Sequence, residues 1–288
     1  MTAGAPARTA DGVSSHSFLD PERPQLGSIA LLPLDGETFG FGSADLRPGT
    51  PDAVGSAELA ESLRAWAAAR GVGIVACRLP AGPGAPPALP WLEGAGFRFV
   101  ELQVRATLPR LEPAALPENR LTVRSAAPDD APRILAMAQT AFAFGRFHAD
   151  PRFPRALADG RYRAWMERAL ADSRPETWVG VVGPPGEPAG FAHAELASGA
   201  ADVRLVAADP ARPGPIGVEL VIAALRHLAA RGARRATARL TPANTAALNV
   251  YASLGFRFHE PELVLHWHRP DAPHLAAATG SRPREGSR

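Results

Sequence analysis

Two tyrosines occur in the 288 residues, and one of them, Tyr251, sits in the segment with the most chemical information. That segment is Asn244-Thr-Ala-Ala247-Leu-Asn-Val-Tyr251-Ala-Ser-Leu254-Gly255-Phe256, placed just after Pro242. Asn244 suits a helix N-cap and Gly255 a helix stop, with Ala247, Leu248, Tyr251 and Leu254 on neighbouring helical positions between them. A phenol, with an ordinary pKa of about 10, stays protonated at neutral pH and can supply a proton to a departing anion. By the residues alone, Asn244 could equally be only a cap and Tyr251 only a core aromatic. A second group is Arg212, Gly214, Ile216 and Gly217, where a strand gives way to the start of a helix. Backbone N–H groups at a helix N-terminus attract phosphate, and Pro213 and Pro215 each withdraw one N–H from that loop. A third group is Arg146, His148, Asp150 and Tyr162, set among Phe147, Phe153 and Trp165. Guanidinium forks and ring stacking of this kind can hold a nucleotide or sugar phosphate, and the same composition also suits an Arg-rich surface loop. Finally, His193 and Glu195 stand two apart in Phe191–Leu196, so in a strand they share a face, and either can accept a proton.

These residues need elements to position them. Hydrophobic periodicity predicts strands over 28–34, 73–79, 97–108, 121–124, 177–182, 189–196, 202–207, 236–240 and 256–266. It predicts helices over 56–70, 89–95, 129–143, 161–172, 215–230 and 244–254. Alternation of this kind indicates an α/β or α+β protein. The Pro-bearing stretch Leu111–Asn119 reads as a boundary between an N-terminal α/β module over 26–112 and a second domain over 119–269. Residues 1–25 and 270–288 have the composition of disordered tails. Gly96-Phe97-Arg98-Phe99 is echoed by Gly255-Phe256-Arg257-Phe258, each at a helix-to-strand junction, which suggests that the first module is a partial copy of the second.

Composition narrows the class. Hydrophobic residues make up 46% and charged residues 21%, enough for a sizeable core. Every Lys/Arg position is an arginine, the arginines are scattered, and the net charge of +2 argues against a nucleic-acid partner. The single cysteine, Cys77, excludes an intrachain disulfide and a thiolate cluster, and its apolar neighbours make it a core residue. No spacing suggests a metal site, and His266 and His268 are expected to be exposed on a terminal strand. With neither a signal-peptide core nor an apolar run long enough for a bilayer, the expectation is a cytoplasmic protein with no membrane partner.

The spacing Asn244, Ala247, Tyr251, Gly255-Phe256 resembles the C-terminal signature of the GNAT acyltransferases, and Arg212–Gly217 is similar to their pyrophosphate loop with Pro215 in place of its first glycine. The resemblance implies a mixed, mostly antiparallel sheet with flanking helices. It also implies acetyl-CoA as donor and a small-molecule amine as acceptor, with a homodimer as a possible assembly. It gives Asn244, Arg212, Gly214, Ile216, Gly217 and the backbone of Leu205 and Val206 to the acyl-CoA, Tyr251 to protonation of the departing thiolate, and Glu195 or His193 to the amine proton. The donor is expected between Phe191–Leu196/Val203–Val206 and Ala236–Leu240. Arg146-Phe147-His148, Asp150-Pro151-Arg152-Phe153, Tyr162-x-x-Trp165 and the opening Leu34–Gly40 further resemble the dTDP-fucosamine acetyltransferase family, over roughly Leu31 to Trp267. That likeness implies a nucleotide-linked amino sugar as acceptor, held by Arg146, His148, Asp150 and Tyr162.

Overall fold

The computed structural model describes residues 16–50, 55–82, 88–212, 214–272 and 274–275. In chain order the strands are β1 (Ser17–Phe18), β2 (Gly27–Leu31), β3 (Gly42–Pro48), β4 (Val72–Pro80), β5 (Arg98–Leu108), β6 (Val123–Ser125), β7 (Thr177–Val182), β8 (Gly190–Ala197), β9 (Ala200–Ala208), β10 (Arg235–Leu240) and β11 (Arg257–His268). The helices are α1 (Pro33–Phe39), α2 (Ser56–Ala69), α3 (Ala88–Gly94), α4 (Ala131–Thr140), α5 (Arg146–Ala149), α6 (Arg155–Ala171), α7 (Ile216–Ala230) and α8 (Thr245–Ser253). Two compact units emerge. The first takes Met1–Leu102, Arg146–Arg161 and Glu262–Arg288, and the second Gln103–Gly145 and Tyr162–Pro261.

The second unit orders its strands β5-β10-β9-β8-β7-β6. All pairings within it for which a register is defined are antiparallel except β9 with β10. The β8–β9 hairpin turns on Ser198 and Gly199, both at positive φ (50° and 72°), as a two-residue turn matched to strand twist requires. Alanines at 192, 194, 236 and 238 let α7 lie close to one sheet face, where it buries Ile216, Leu220, Val221, Leu225 and Leu228. On the other face Ile134, Met137 and Met166 pack on Phe191, Leu205 and Ala207. Full burial of each large aliphatic contributes about 1.5–3 kcal/mol, so the two layers hold the sheet from both sides.

The first unit orders its strands β1-β2-β3-β4-β11, parallel only between β3 and β4. One face carries Leu46, Val75, Cys77, Leu265 and Trp267 against Leu59 and Leu63 of α2 and Leu92 of α3. The opposite face carries Ile74 and is covered by Phe39, Phe147, Phe153 and Ala158. Three of these last four come from Arg146–Arg161, a stretch expected in the second domain. Its buried charges explain the placement. Asp35 of α1 accepts from Arg146 Nη2 at 2.9 Å and from Arg161 Nε at 2.6 Å, and both guanidinium groups lie over the Phe147 ring.

Three further expectations are corrected. Residues 16–25, expected in a tail, form β1 and a 3-10 turn because Leu19 and Leu26 are buried in the first unit's core. His266 and His268 are buried, not exposed: strand alternation turns both towards the carboxylate of Asp150. Ala272 and His274, expected in the C-terminal tail, are buried as well, with His274 stacked on Phe41. The remainder of both tails and the loop over 83–87 lie outside the described residues. Among the described residues no helix is long and apolar enough to cross a membrane.

Candidate functional site

In the second unit the parallel ladder between β9 and β10 runs from Ala200↔Arg235 to Val203↔Ala238 and stops, although β9 continues to Ala208 and β10 to Leu240. On its other side β9 stays paired with β8 to Ala208, but the register slips there: Ala194 faces Val203 and His193 faces Leu205. Arg204 is therefore the extra residue of a bulge, one position beyond the last β9–β10 pair. A bulge of this kind re-aims backbone groups, and from Leu205 onward β9 keeps its pairing with β8 but has none with β10. Leu205 and Val206 thus follow directly on the bulge, past the last β9–β10 pair.

The opening is bordered by the N-terminus of α7. Pro215 is the N-cap, outside the first helical turn, so the N–H groups of Ile216, Gly217 and Val218 remain, and only the cap's own donor is missing. Gly214 has φ 136°, and a Cβ at either Gly214 or Gly217 would meet open space. Asp209 organises the approach. Its carboxylate accepts from Ala211 N at 3.0 Å and pairs with Arg133, while its carbonyl accepts from Arg212 N. Arg212 itself is half exposed, 3.9 Å from both Glu187 and Asp209. Pro213 lies outside the described residues.

Helix α8 supplies the remaining pieces. Asn244 caps it, with its side-chain oxygen accepting from Ala247 N at 3.1 Å. Tyr251 is buried, with its ring edge-on to Phe256 at 5.0 Å. Burial first, and then the negative charge of Asp202, push the phenol above its ordinary value. Tyr251 is thus held in its proton-bearing form, the form an acid needs.

His193 and Glu195 do share a face, and a line of polar contacts continues from them. His193 Nε2 lies 3.4 Å from Glu195 Oε1, and Arg204 Nη2 donates to Glu195 Oε2 at 3.2 Å. Arg204 Nε also lies 3.1 Å from Asp202, whose other oxygen accepts from Thr237 Oγ1 at 3.1 Å. Burial alone would raise the Glu195 carboxyl, but His193 and Arg204 outweigh it and hold the group below its usual range. Asp202, Arg204 and Thr237 were not anticipated from the sequence. The available clue was Asp202-x-Arg204 inside the otherwise apolar run of β9.

The third predicted group divides. Arg146, His148 and Asp150 belong to the first unit, where each has internal partners: Arg146 with Asp35, His148 with Asp159 at 2.8 Å, and Asp150 with Arg152, His266 and His268. Tyr162 belongs to the second unit and stacks on Phe142 at 4.4 Å.

Comparison with known proteins agrees with this geometry. A family model described as the acetyltransferase (GNAT) domain matches residues 120–257. A mycothiol acetyltransferase of Nocardia farcinica is 28% identical over 283 residues, covering 88% of each chain. Among solved structures, a GCN5-related N-acetyltransferase from Sphaerobacter thermophilus superimposes with a TM-score of 0.58 at 18% identity, covering 85% of this chain and 77% of that one. A tandem GNAT protein from the clavulanic acid biosynthesis pathway gives 0.56 at 15% identity, covering 85% and 79%. With its parted parallel strands, its bulge and this match over 120–257, the chain is an N-acetyltransferase built on the GNAT fold.

Proposed function

We propose that the protein transfers an acetyl group from acetyl-CoA to the amine of a small sugar-bearing acceptor. The ladder that ends at Val203 and Ala238 beside the Arg204 bulge carries this reading. The donor supplies an activated thioester. The α7 N-terminus, with Arg212, Gly214, Ile216 and Gly217, suits its pyrophosphate. Asn244 stands at the start of α8 to meet the remainder of the donor. Backbone groups of Leu205 and Val206 orient the acyl carbonyl and stabilise charge on its oxygen. Tyr251 holds the proton that a leaving thiolate takes. The ionised carboxylate of Glu195, with His193 against it, receives the proton released by the attacking amine, directly or through one water. Asp202 keeps the Tyr251 proton in place electrostatically.

For the acceptor, the sequence resemblance spanning Leu31–Trp267 favours a nucleotide-linked amino sugar, with Tyr162 as the contact in the second unit. A second reading, the acceptor of mycothiol acetyltransferase, is supported by identity that extends over 88% of the chain. Calorimetric titration with acetyl-CoA, wild type beside Tyr251→Phe, tests the donor. Turnover on both acceptor types tests the remainder. Micromolar binding by both proteins with turnover lost only in the variant is the expected result. No heat with acetyl-CoA, or undiminished turnover in the variant, refutes the donor site or the acid role respectively.

A further inference from the structure

The first unit holds a buried constellation that the transfer chemistry proposed above does not use. His266 Nδ1 lies 3.0 Å from Asp150 Oδ2, and His268 Nε2 lies 2.7 Å from the same oxygen. The three donor atoms fall within 4.8 Å of one another, and all three residues are buried. We propose that Asp150, His266 and His268 bind one divalent cation of the zinc class.

The fold explains why the donors converge. Residues 266 and 268 of β11 alternate onto one face, and pairing with β4 fixes them opposite Ala76 and Ile74, where the small Ala76 leaves room beside the rings. Asp150 is fixed at the turn between α5 and α6, where Arg152 N donates to its side chain and Phe153 N to its carbonyl. Two imidazole nitrogens and a carboxylate oxygen match the preference of zinc, at about 2.0–2.2 Å from the metal. Tetrahedral donors at that distance stand roughly 3.3 Å apart, so the two nitrogen-to-oxygen separations need to widen by only about half an ångström. His268 also has the outer partner expected of a metal ligand. Its Nδ1 lies 2.7 Å from His274 Nε2, and the His274 ring is fixed by stacking on Phe41 at 4.4 Å. With the cation on Nε2, the remaining His268 proton sits on Nδ1 and points at His274.

One group opposes the cation. Arg152 forks onto the same carboxylate, through Nε at 3.1 Å and Nη2 at 3.2 Å. Its side chain is 31% exposed, so it can turn outward to water, whereas Asp150 cannot. The nearby Arg146 is turned onto Asp35, which it shares with Arg161. Arg152 and the cation therefore compete for Asp150. The role is structural: the metal would join Asp150 to β11 ligands 116 and 118 residues away in sequence.

The test uses untagged, chelator-stripped full-length protein titrated with Co2+ and followed by its visible absorption bands, with Zn2+ then displacing it. One equivalent should bind with the band intensity of a four-coordinate nitrogen and oxygen site. Arg152→Gln should bind about tenfold more tightly, the worth of one charge-assisted hydrogen bond. His274→Asn should bind roughly 10–100-fold more weakly. His268→Gln should abolish the bands while far-ultraviolet circular dichroism stays native. Should that variant not fold, Arg152→Gln decides the matter, because competition for the Asp150 carboxylate makes removal of its guanidinium partner tighten binding. Absence of Co2+ bands in the wild type overturns the proposal, as does an affinity unchanged by Arg152→Gln.

Discussion

Asp130→Asn isolates one buried carboxylate that joins three elements of the second unit. Asp130 is fully buried, and its two oxygens accept from Arg124 Nη1 at 2.6 Å and Nη2 at 2.9 Å, from Ala127 N at 2.7 Å and from Gly186 N at 2.9 Å. It thereby ties β6, the entry to α4 and the turn before β8. Asparagine keeps the shape but turns one acceptor into a donor that faces existing donors. Severing a buried ion pair from one side costs about 3–5 kcal/mol. Arg124 is 26% exposed and can recover hydration, so a cost at or just below the foot of that range, about 2–3 kcal/mol, is expected. The pH dependence has a definite sign. The Arg124 guanidinium, with the two backbone donors, holds the carboxyl far below its ordinary value of about 3.9 against the opposing effect of burial. A depressed folded-state value gives stability that is complete above roughly pH 5 and is lost as pH falls towards it. Urea unfolding of wild type and variant from pH 3 to 8 should show a constant gap above about pH 5 that narrows below about pH 4. A gap under about 0.5 kcal/mol at pH 7, or one that does not narrow in acid, refutes the reasoning.

Other outcomes follow from the site. Tyr251→Phe should lower kcat by about 10²–10⁴-fold with KM for acetyl-CoA nearly unchanged, as loss of a general acid does. Glu219 accepts from Arg120 N at 2.7 Å, Leu121 N at 3.3 Å and Asn119 Nδ2 at 3.1 Å; Glu219→Ala, which leaves the two backbone donors without this partner while Asn119 keeps its bond to the Glu219 carbonyl, should cost about 1–3 kcal/mol in urea unfolding. Asn244→Ala removes the α8 cap and should cost about 1 kcal/mol. Because Glu195 is held below its usual range and Tyr251 above its own, kcat/KM should be flat from about pH 5.5 to 9. An acid limb inside that window would refute the assignment of Glu195 as proton acceptor.

Much of the second unit was legible because its elements combine strong periodicity with clear ends. Helix α7 has Pro215 before it and Gly232 after it, α8 has Asn244 and Gly255, and the β8–β9 hairpin has Ser198-Gly199. Elements whose stability comes from distant partners were not legible. Helix α1 contains Gly36 and spans seven residues, and Asp35 within it is held by arginines more than 100 positions later. Strand β3 begins in glycine, ends in proline and carries a charge at Asp45, so no apolar run announces it. The same distance hid the burial of His266 and His268, since their partner Asp150 lies 116 and 118 residues away. At the site, Tyr251 and Asn244 were visible through helical spacing. Arg204 was not, because a bulge breaks the period-two rule by which a strand residue is assigned to a face.

Helix α6 is the feature with the widest consequence. Its first turns belong to the first unit and its later turns to the second, and β5 and β11 are divided in the same manner. No single break in the chain releases an intact half. A fragment beginning near residue 119 keeps Arg146, Asp150 and Arg161 but loses Asp35 and β4, which leaves charges and the rings of Phe147 and Phe153 without their covering. A fragment ending near residue 112 exposes the sheet face around Ile74. If the chain arose by duplication, as the repeated Gly-Phe-Arg-Phe suggests, this exchange of segments removed the freedom of either copy to be lost, fused elsewhere or shuffled. The two units are then inherited as one object, although every residue proposed above for acetyl transfer falls in the second.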